Sequence, residues 1–157
     1  MDKLALVLLS WISANTSYET ANVDPPIVIE MTPIEITAEA YTDNPNLIPE
    51  SRIDDRVMAL YNFEDGPNGT IYVLGAEWTD DGAAPDQPSW MNPIFQERVL
   101  HELVHHVQRV TGTYESFPCR SFGEREAYEL GGKFLRQNHV RDPLPNRIFW
   151  SRVYSRC

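Results

Sequence analysis

The sequence has few cysteines, no cluster of basic residues and no long apolar run, and each lack makes a class of protein improbable. Lysine and arginine together number 13 against 23 acidic residues, which gives a net charge of −10. A chain of this charge without a basic patch is not expected to bind nucleic acid or an anionic membrane surface. The acidic composition instead predicts a soluble protein.

The most apolar segment lies at residues 4–12. It is too short for a transmembrane helix, which needs about twenty apolar residues. Asp2, Ser10 and Trp11 spoil its resemblance to a signal peptide, and no small-x-small cleavage site follows. We therefore expect neither a signal peptide nor a membrane segment here, but a helix packed on the core. The sequence does not indicate a cellular compartment.

The two cysteines, Cys119 and Cys157, are not spaced as zinc ligands. One pair of cysteines allows two interpretations, a disulfide that holds the end of the chain or two free thiols. The sequence leaves both open.

The length of 157 residues suits one domain. A domain of this size buries about two thirds of the surface of its unfolded chain, which is enough for a core. We predict a single domain over residues 1–157 that acts as a monomer.

The strand-forming segments predict a small, mostly antiparallel sheet. Residues 27–29 and the Pro33-interrupted run to residue 37 are consistent with one strand or two near a sheet edge. Residues 57–63 and 70–74 are β-rich and flank a turn-forming segment, which predicts a hairpin. With helices at both ends of the chain, the expected fold class is α+β. The C-terminal helix is expected to cover the core with Ile148, Phe149 and Val153.

Two polar segments are predicted to be loops. Residues 44–55 are expected to contain at most one helical turn. Residues 79–89 carry Asp80, Asp81, Gly82 and Asp86, which do not follow the ligand pattern of a calcium-binding loop. Turn formation is therefore the predicted role of these acids.

Residues 101–105, His-Glu-Leu-Val-His, carry the strongest chemical signal. On a helix, His101 and His105 project from one face a turn apart, so both imidazoles can bind one Zn²⁺. Glu102 lies about 100° further round and can take a proton from a zinc-bound water without binding the metal. The alternative is a pair of surface histidines on an amphipathic helix.

The flanking residues predict that this segment is a helix. Asn92 is a favourable N-cap, Pro93 suits the first helical position and Gly112 suits the end. Apolar residues recur at helical spacing along one face. They are Leu100, Leu103, Val104, Val107 and Val110. This pattern favours the zinc-helix interpretation.

A catalytic zinc site needs a third protein ligand. The metzincin pattern is excluded because Gln108 and Thr111 stand where it requires Gly and His. Residues 121–124, Ser-Phe-Gly-Glu, have the form of a capping box that opens a second helix, which would engage Glu124 in capping. Glu126 is therefore the predicted third ligand. The alternatives are Glu124, Glu129 and Glu115.

The chain resembles the gluzincins, the thermolysin-like zinc peptidases, in the His101-Glu102-x-x-His105 motif and the later Glu126-Ala127 pair. It is also similar to small stand-alone bacterial and phage zincins with a His-Glu-Leu-Val-His-His-x-Gln segment and a Glu-Arg-Glu-Ala-Tyr segment, here residues 101–108 and 124–128. The resemblance covers about residues 57–135.

This resemblance implies a minimal zincin-like fold in which a hairpin strand pairs with an extended peptide substrate. It implies that His101, His105 and Glu126 bind Zn²⁺ and that Glu102 is the general base. The larger gluzincins often carry an Asp four residues after the ligand Glu, which orients the first His. Leu130 stands at that position here, so a backbone carbonyl or Glu129 is the expected replacement.

Other polar residues have weaker claims to a role. Tyr114, His139 and Arg141 are candidates for stabilising the oxyanion of a tetrahedral intermediate. His106 is expected to be exposed on the helix. Gln108 is expected either to support the zinc site by hydrogen bonding or to lie on the surface.

The function predicted from these residues is a zinc metallopeptidase that hydrolyses peptide bonds with a zinc-bound water activated by Glu102. Its partner would be a peptide or protein substrate. The alternative is a zincin-like protein that binds zinc for stability or regulation with little turnover. Glu102 favours the enzyme, because a structural zinc site is usually Cys-rich and needs no general base.

Overall fold

The computed structural model describes residues 1–79 and 87–157. Asp80, Asp81, Gly82 and Asp86, for which turns were predicted, lie outside the described residues. The described parts contain five α-helices and one three-stranded sheet, which confirms the α+β class. The elements are α1 (Asp2–Asn15), β1 (Ile27–Met31), α2 (Pro33–Ala40), β2 (Ala59–Asn62), β3 (Thr70–Leu74), α3 (Pro93–Val110), α4 (Glu124–Gln137) and α5 (Arg147–Tyr154).

The sheet is mixed, with strand order β1-β3-β2. The predicted hairpin is confirmed, since β2 pairs antiparallel with β3 from Ala59↔Val73 to Asn62↔Thr70. β1, however, pairs parallel with β3, so the expectation of a mostly antiparallel sheet was wrong. β3 is buried along its whole length, as expected for a central strand. β2 lies at the sheet edge.

The segment that follows β1 is a helix, not a second strand. The Thr32 hydroxyl accepts from the Glu35 amide at 3.4 Å, and the Glu35 carboxylate accepts from the Thr32 amide at 2.9 Å. This capping box, with Pro33 at the first helical position, starts α2. The Thr-x-x-Glu spacing is local, and it outweighs the β-branched residues in the run. Further along, Pro45–Leu47 forms the one helical turn expected in the following loop.

The predicted limits of α3 are confirmed. The Asn92 side chain accepts from the Ile94 amide at 2.8 Å, and Gly112 takes a positive φ of 73° just after the helix. Four members of the predicted apolar stripe, Leu100, Leu103, Val104 and Val107, are fully buried, whereas Val110 is exposed. α3 thus runs through the core, between α1, α4 and the sheet.

The C-terminal helix α5 packs with a polar inner face. Ile148 and Phe149 are more than half exposed, so the expectation that they cover the core was wrong. Arg147 is buried instead and donates to Glu97 on α3 at 2.6 Å and to Asp142 at 2.6 Å. Gly132 makes room on α4, since a Cβ there would lie 2.8 Å from Cδ of Arg147.

A disulfide joins Cys119 and Cys157 across 38 positions. It ties the segment before α4 to the residues after α5. None of the helices in the described parts of the chain is both long and apolar enough to cross a membrane.

Candidate metal centre

His101 and His105 lie side by side on one face of α3. Their ring centroids are 5.1 Å apart, and both side chains are mostly shielded from solvent. This is the arrangement expected for positions i and i+4 of a helix. The two imidazoles therefore point toward a common space.

Glu124, the first residue of α4, lies beside both rings. Its Oε2 is 3.1 Å from Nε2 of His101, and its Oε1 is 3.4 Å from Nε2 of His105. One ligand atom from each of the three residues lies within 4.8 Å of the others. Two imidazole nitrogens and a carboxylate form a donor set that suits a catalytic zinc, with a fourth position left for water.

The structure corrects the predicted placement of the third acidic group. Glu126 is not beside the histidines, and its carboxylate accepts from the Tyr18 hydroxyl at 2.8 Å and from Nε2 of Gln108 at 3.0 Å. The predicted capping box is absent, because α4 begins at Glu124 with Gly123 at the N-cap and no side-chain capping bond. The carboxylate of Glu124 is therefore free to face the histidines.

Gln108 connects this centre to the polar residues behind it. Its Oε1 lies 3.1 Å from Nδ1 of His105, and its Nε2 donates to the carbonyl of Gly123 at 3.2 Å and to Glu126. Since an amide oxygen only accepts, His105 carries a proton on Nδ1 and presents Nε2 to the common space. Gln108 is fully buried, so of its two expected positions, beside the site or on the surface, the structure shows the first.

The Nε2 atom of His105 is buried and has no hydrogen-bond partner among residues 1–79 and 87–157. The 3.4 Å approach of Glu124 is an ion-pair distance without hydrogen-bond geometry. Buried polar atoms normally have a partner, and such an exception calls for an explanation such as an ion. The residues present thus fit a metal ion that takes Nε2 of His105 as a ligand.

The electrostatics of the three groups are coupled. Burial favours the neutral form of His105, but the contacts with Glu124 and Glu102 outweigh it and raise the pKa of His105 to about 9, so a metal ion that takes Nε2 has to displace a proton there. In the same way burial raises the pKa of Glu124, and the two histidines outweigh this and hold it well below its usual range. Glu124 is therefore ionised at neutral pH, as a metal ligand must be.

Glu102 lines a cleft together with His105 and Glu124. Burial raises the pKa of its carboxyl, and the charges of His101 and His105 oppose this shift. A carboxylate with a raised pKa is a better proton acceptor, which suits a general base.

Tyr128 lies four residues after Glu124 on α4 and contacts His101. Leu130, which lies four residues after Glu126, is buried in the hydrophobic core instead. The ring of Tyr128 packs edge-on against His101 at 4.7 Å and stacks on Tyr154 at 5.6 Å. His101 is thus oriented by packing. The sequence reasoning missed Tyr128, which counting four residues from Glu124 instead of from Glu126 would have indicated.

His106 is buried, so the expectation of an exposed helix histidine was wrong. Its Nε2 donates to the carbonyl of Asp24 at 2.9 Å, and its Nδ1 accepts from the Tyr61 hydroxyl at 2.9 Å. Burial lowers its pKa, and the bond to Asp24 opposes this. His106 therefore anchors β2 to α3 as a neutral side chain.

The cleft over the centre has a volume of about 370 Å³. Three residues of the edge strand β2, Ala59, Leu60 and Tyr61, line it together with Glu102, His105 and Glu124. Tyr114 also lines the cleft, where its hydroxyl accepts from Nε of Arg120 at 3.3 Å. His139 and Arg141, the other oxyanion candidates, are not among the residues that line it.

Comparisons with protein-family models, curated protein sequences and solved structures find no match. The chemistry of the centre therefore has to be inferred from its own residues.

Proposed function

We propose that this protein is a zinc-dependent peptidase whose metal ligands are His101, His105 and Glu124. The observation that carries the proposal is the convergence of these three donor groups around the unpartnered Nε2 of His105, with Glu102 in the same cleft. A site that served only structure would have no need of Glu102 or of an open cleft.

In this proposal the metal ion, Glu102 and Tyr114 have distinct roles. Zn²⁺, when bound, supplies Lewis acidity that polarises the scissile carbonyl and acidifies water. Glu102 takes the proton of the attacking water and passes it to the departing amine. The Tyr114 hydroxyl donates a hydrogen bond to the oxyanion. Its proton is available for this bond, because the hydroxyl oxygen is the acceptor in the bond from Arg120.

The substrate in this proposal is an extended peptide paired with β2. β2 is an edge strand, and its residues Ala59, Leu60 and Tyr61 line the cleft. An edge strand offers unpaired backbone donors and acceptors to an added strand. Such pairing would hold the peptide bond next to Glu102.

The test combines metal content with peptide cleavage. Protein purified without chelators is expected to contain about one zinc per chain by mass spectrometry of the metal. A peptide library is expected to yield new amino termini, which disappear after chelation and return with zinc. A metal-free protein contradicts the whole proposal. A zinc-replete protein that cleaves nothing supports the alternative of zinc binding without turnover.

A further inference from the structure

Two arginines of the cleft have no acidic partner in the part of the chain that the structure describes. Arg109 and Arg120 both line the cleft with His105. Neither makes an ion pair with a carboxylate within residues 1–79 and 87–157. The chain has ten more acidic than basic residues, so carboxylates for such a pair are abundant. The two guanidinium groups therefore retain donors for a ligand.

Arg109 is held in a defined position. Its Cζ lies 3.5 Å from the centroid of the Phe63 ring, in a cation–π contact. Phe63 directly follows the edge strand β2. The guanidinium thus lies at the end of the strand along which the proposed substrate pairs.

The position of Arg109 on α3 sets its distance from the centre. His101, His105 and Arg109 recur every four residues, so they form a row along one side of the helix. Four residues of helix rise by about 6 Å, and an extended peptide advances about 3.3 Å per residue. An extended peptide that runs along α3 therefore covers the distance from His105 to Arg109 with about two residues.

Arg120 adds a second positive charge. Its Nε donates to the Tyr114 hydroxyl at 3.3 Å, which leaves its terminal nitrogens free. Glu102 lies seven residues from Arg109 on α3, a rise of about 10 Å, so the two ends of the cleft differ in charge. Guanidinium groups match the geometry of a carboxylate.

We propose that Arg109 and Arg120 form a subsite for a carboxylate side chain of the substrate, about two residues from the bond that is cleaved. This inference rests on the proposed peptidase function and names its substrate class, peptides with Asp or Glu at that position.

The test uses peptide hydroxamates, whose hydroxamate group binds zinc and sets the register of the peptide. Two series carry the hydroxamate at the amino or carboxyl end, with Asp or Asn two residues away. In one series the zinc-loaded protein is expected to bind the Asp peptide at least about tenfold more tightly by calorimetry, as charge-assisted hydrogen bonds predict. Arg109→Met should reduce this ratio to near one, and Arg109→Lys should retain part of it.

Arg136→Met is the control, because Arg136 lies in the last turn of α4 as Arg109 lies in the last turn of α3, but Arg136 is exposed and does not line the cleft. It should leave the Asp:Asn ratio unchanged. Equal binding of Asp and Asn peptides in both series, or no binding of either, overturns the subsite. So does an Asp preference that survives in Arg109→Met/Arg120→Met.

A library digest separates this inference from the proposed function. Cleavage without a preference for acidic residues overturns the subsite and leaves the peptidase in place. Asp-dependent binding without cleavage of any peptide supports the subsite and overturns the peptidase activity.

Discussion

Glu102 is the residue that separates catalysis from metal binding. Its carboxylate lines the cleft but does not belong to the group of three potential ligands. We expect Glu102→Gln to retain the wild-type zinc content and fold, because the amide is nearly isosteric, and to lower kcat by about 10²–10⁴-fold. Turnover of a cleaved library peptide and zinc content, measured on the same sample, check this. A variant as fast as wild type would show that Glu102 is not the base.

The two glutamates at the start of α4 are expected to differ in their effect on zinc. Glu124→Ala removes a proposed ligand and should weaken zinc binding by more than about 100-fold. Glu126→Ala removes a hydrogen-bond partner of Gln108. It should weaken zinc binding by about tenfold, the lower end of the range for residues that hydrogen-bond to metal ligands without binding the metal. Zinc affinity is measured by competition with a chelator.

Glu129→Ala is the control for this pair, since Glu129 forms an exposed ion pair with Arg125 on the same helix. It should leave zinc affinity unchanged. A larger loss in Glu126→Ala than in Glu124→Ala would return the third-ligand role to Glu126.

At the scale of elements, Gln108 links α3 to the start of α4. It holds His105 on one side and the carbonyl of Gly123 on the other. Gly123 permits this approach, because a Cβ there would lie 3.2 Å from Cδ of Gln108 and closer still to its Oε1. His105 on α3 and the start of α4 are thus connected through one buried amide.

We expect Gln108→Leu to weaken zinc binding by about 10–100-fold and to destabilise the fold by about 1–3 kcal/mol, because buried polar groups lose their partners. The combination Gln108→Glu/Glu126→Gln keeps an acceptor for His105 and a hydrogen bond between the two side chains, but it loses the donor to the carbonyl of Gly123. It should therefore recover only part of the zinc affinity. Chelator competition and urea unfolding measure the two effects. Equal zinc affinity in Gln108→Leu and wild type would contradict a positioning role.

At the scale of the whole molecule, the Cys119–Cys157 disulfide closes a loop that contains α4 and α5. Closing a loop of this length restricts the unfolded chain and stabilises the fold by about 2–4 kcal/mol. Reduction should therefore lower the free energy of unfolding in urea by this amount. Cys119→Ser/Cys157→Ser should show the same lower stability and no response to reductant. Two titratable thiols in denatured, non-reduced protein would contradict the bond.

The sequence by itself determined the parts of this protein that depend on local spacing. The caps and apolar stripe of α3 give that helix its limits and phase, and the phase places His101 and His105 on one face. The turn formers between β2 and β3 likewise give the hairpin. These features need only neighbouring residues.

Only the tertiary structure decided which acid meets the histidines. Glu124 and Glu126 lie about 200° apart around α4, and packing of Ala127 and Leu130 on the core sets which of the two faces α3. The parallel pairing of β1 with β3 and the contact of Tyr18 with Glu126, 108 positions away, also arise from packing between distant segments. Such contacts follow from the shape of the whole core, which no local pattern contains.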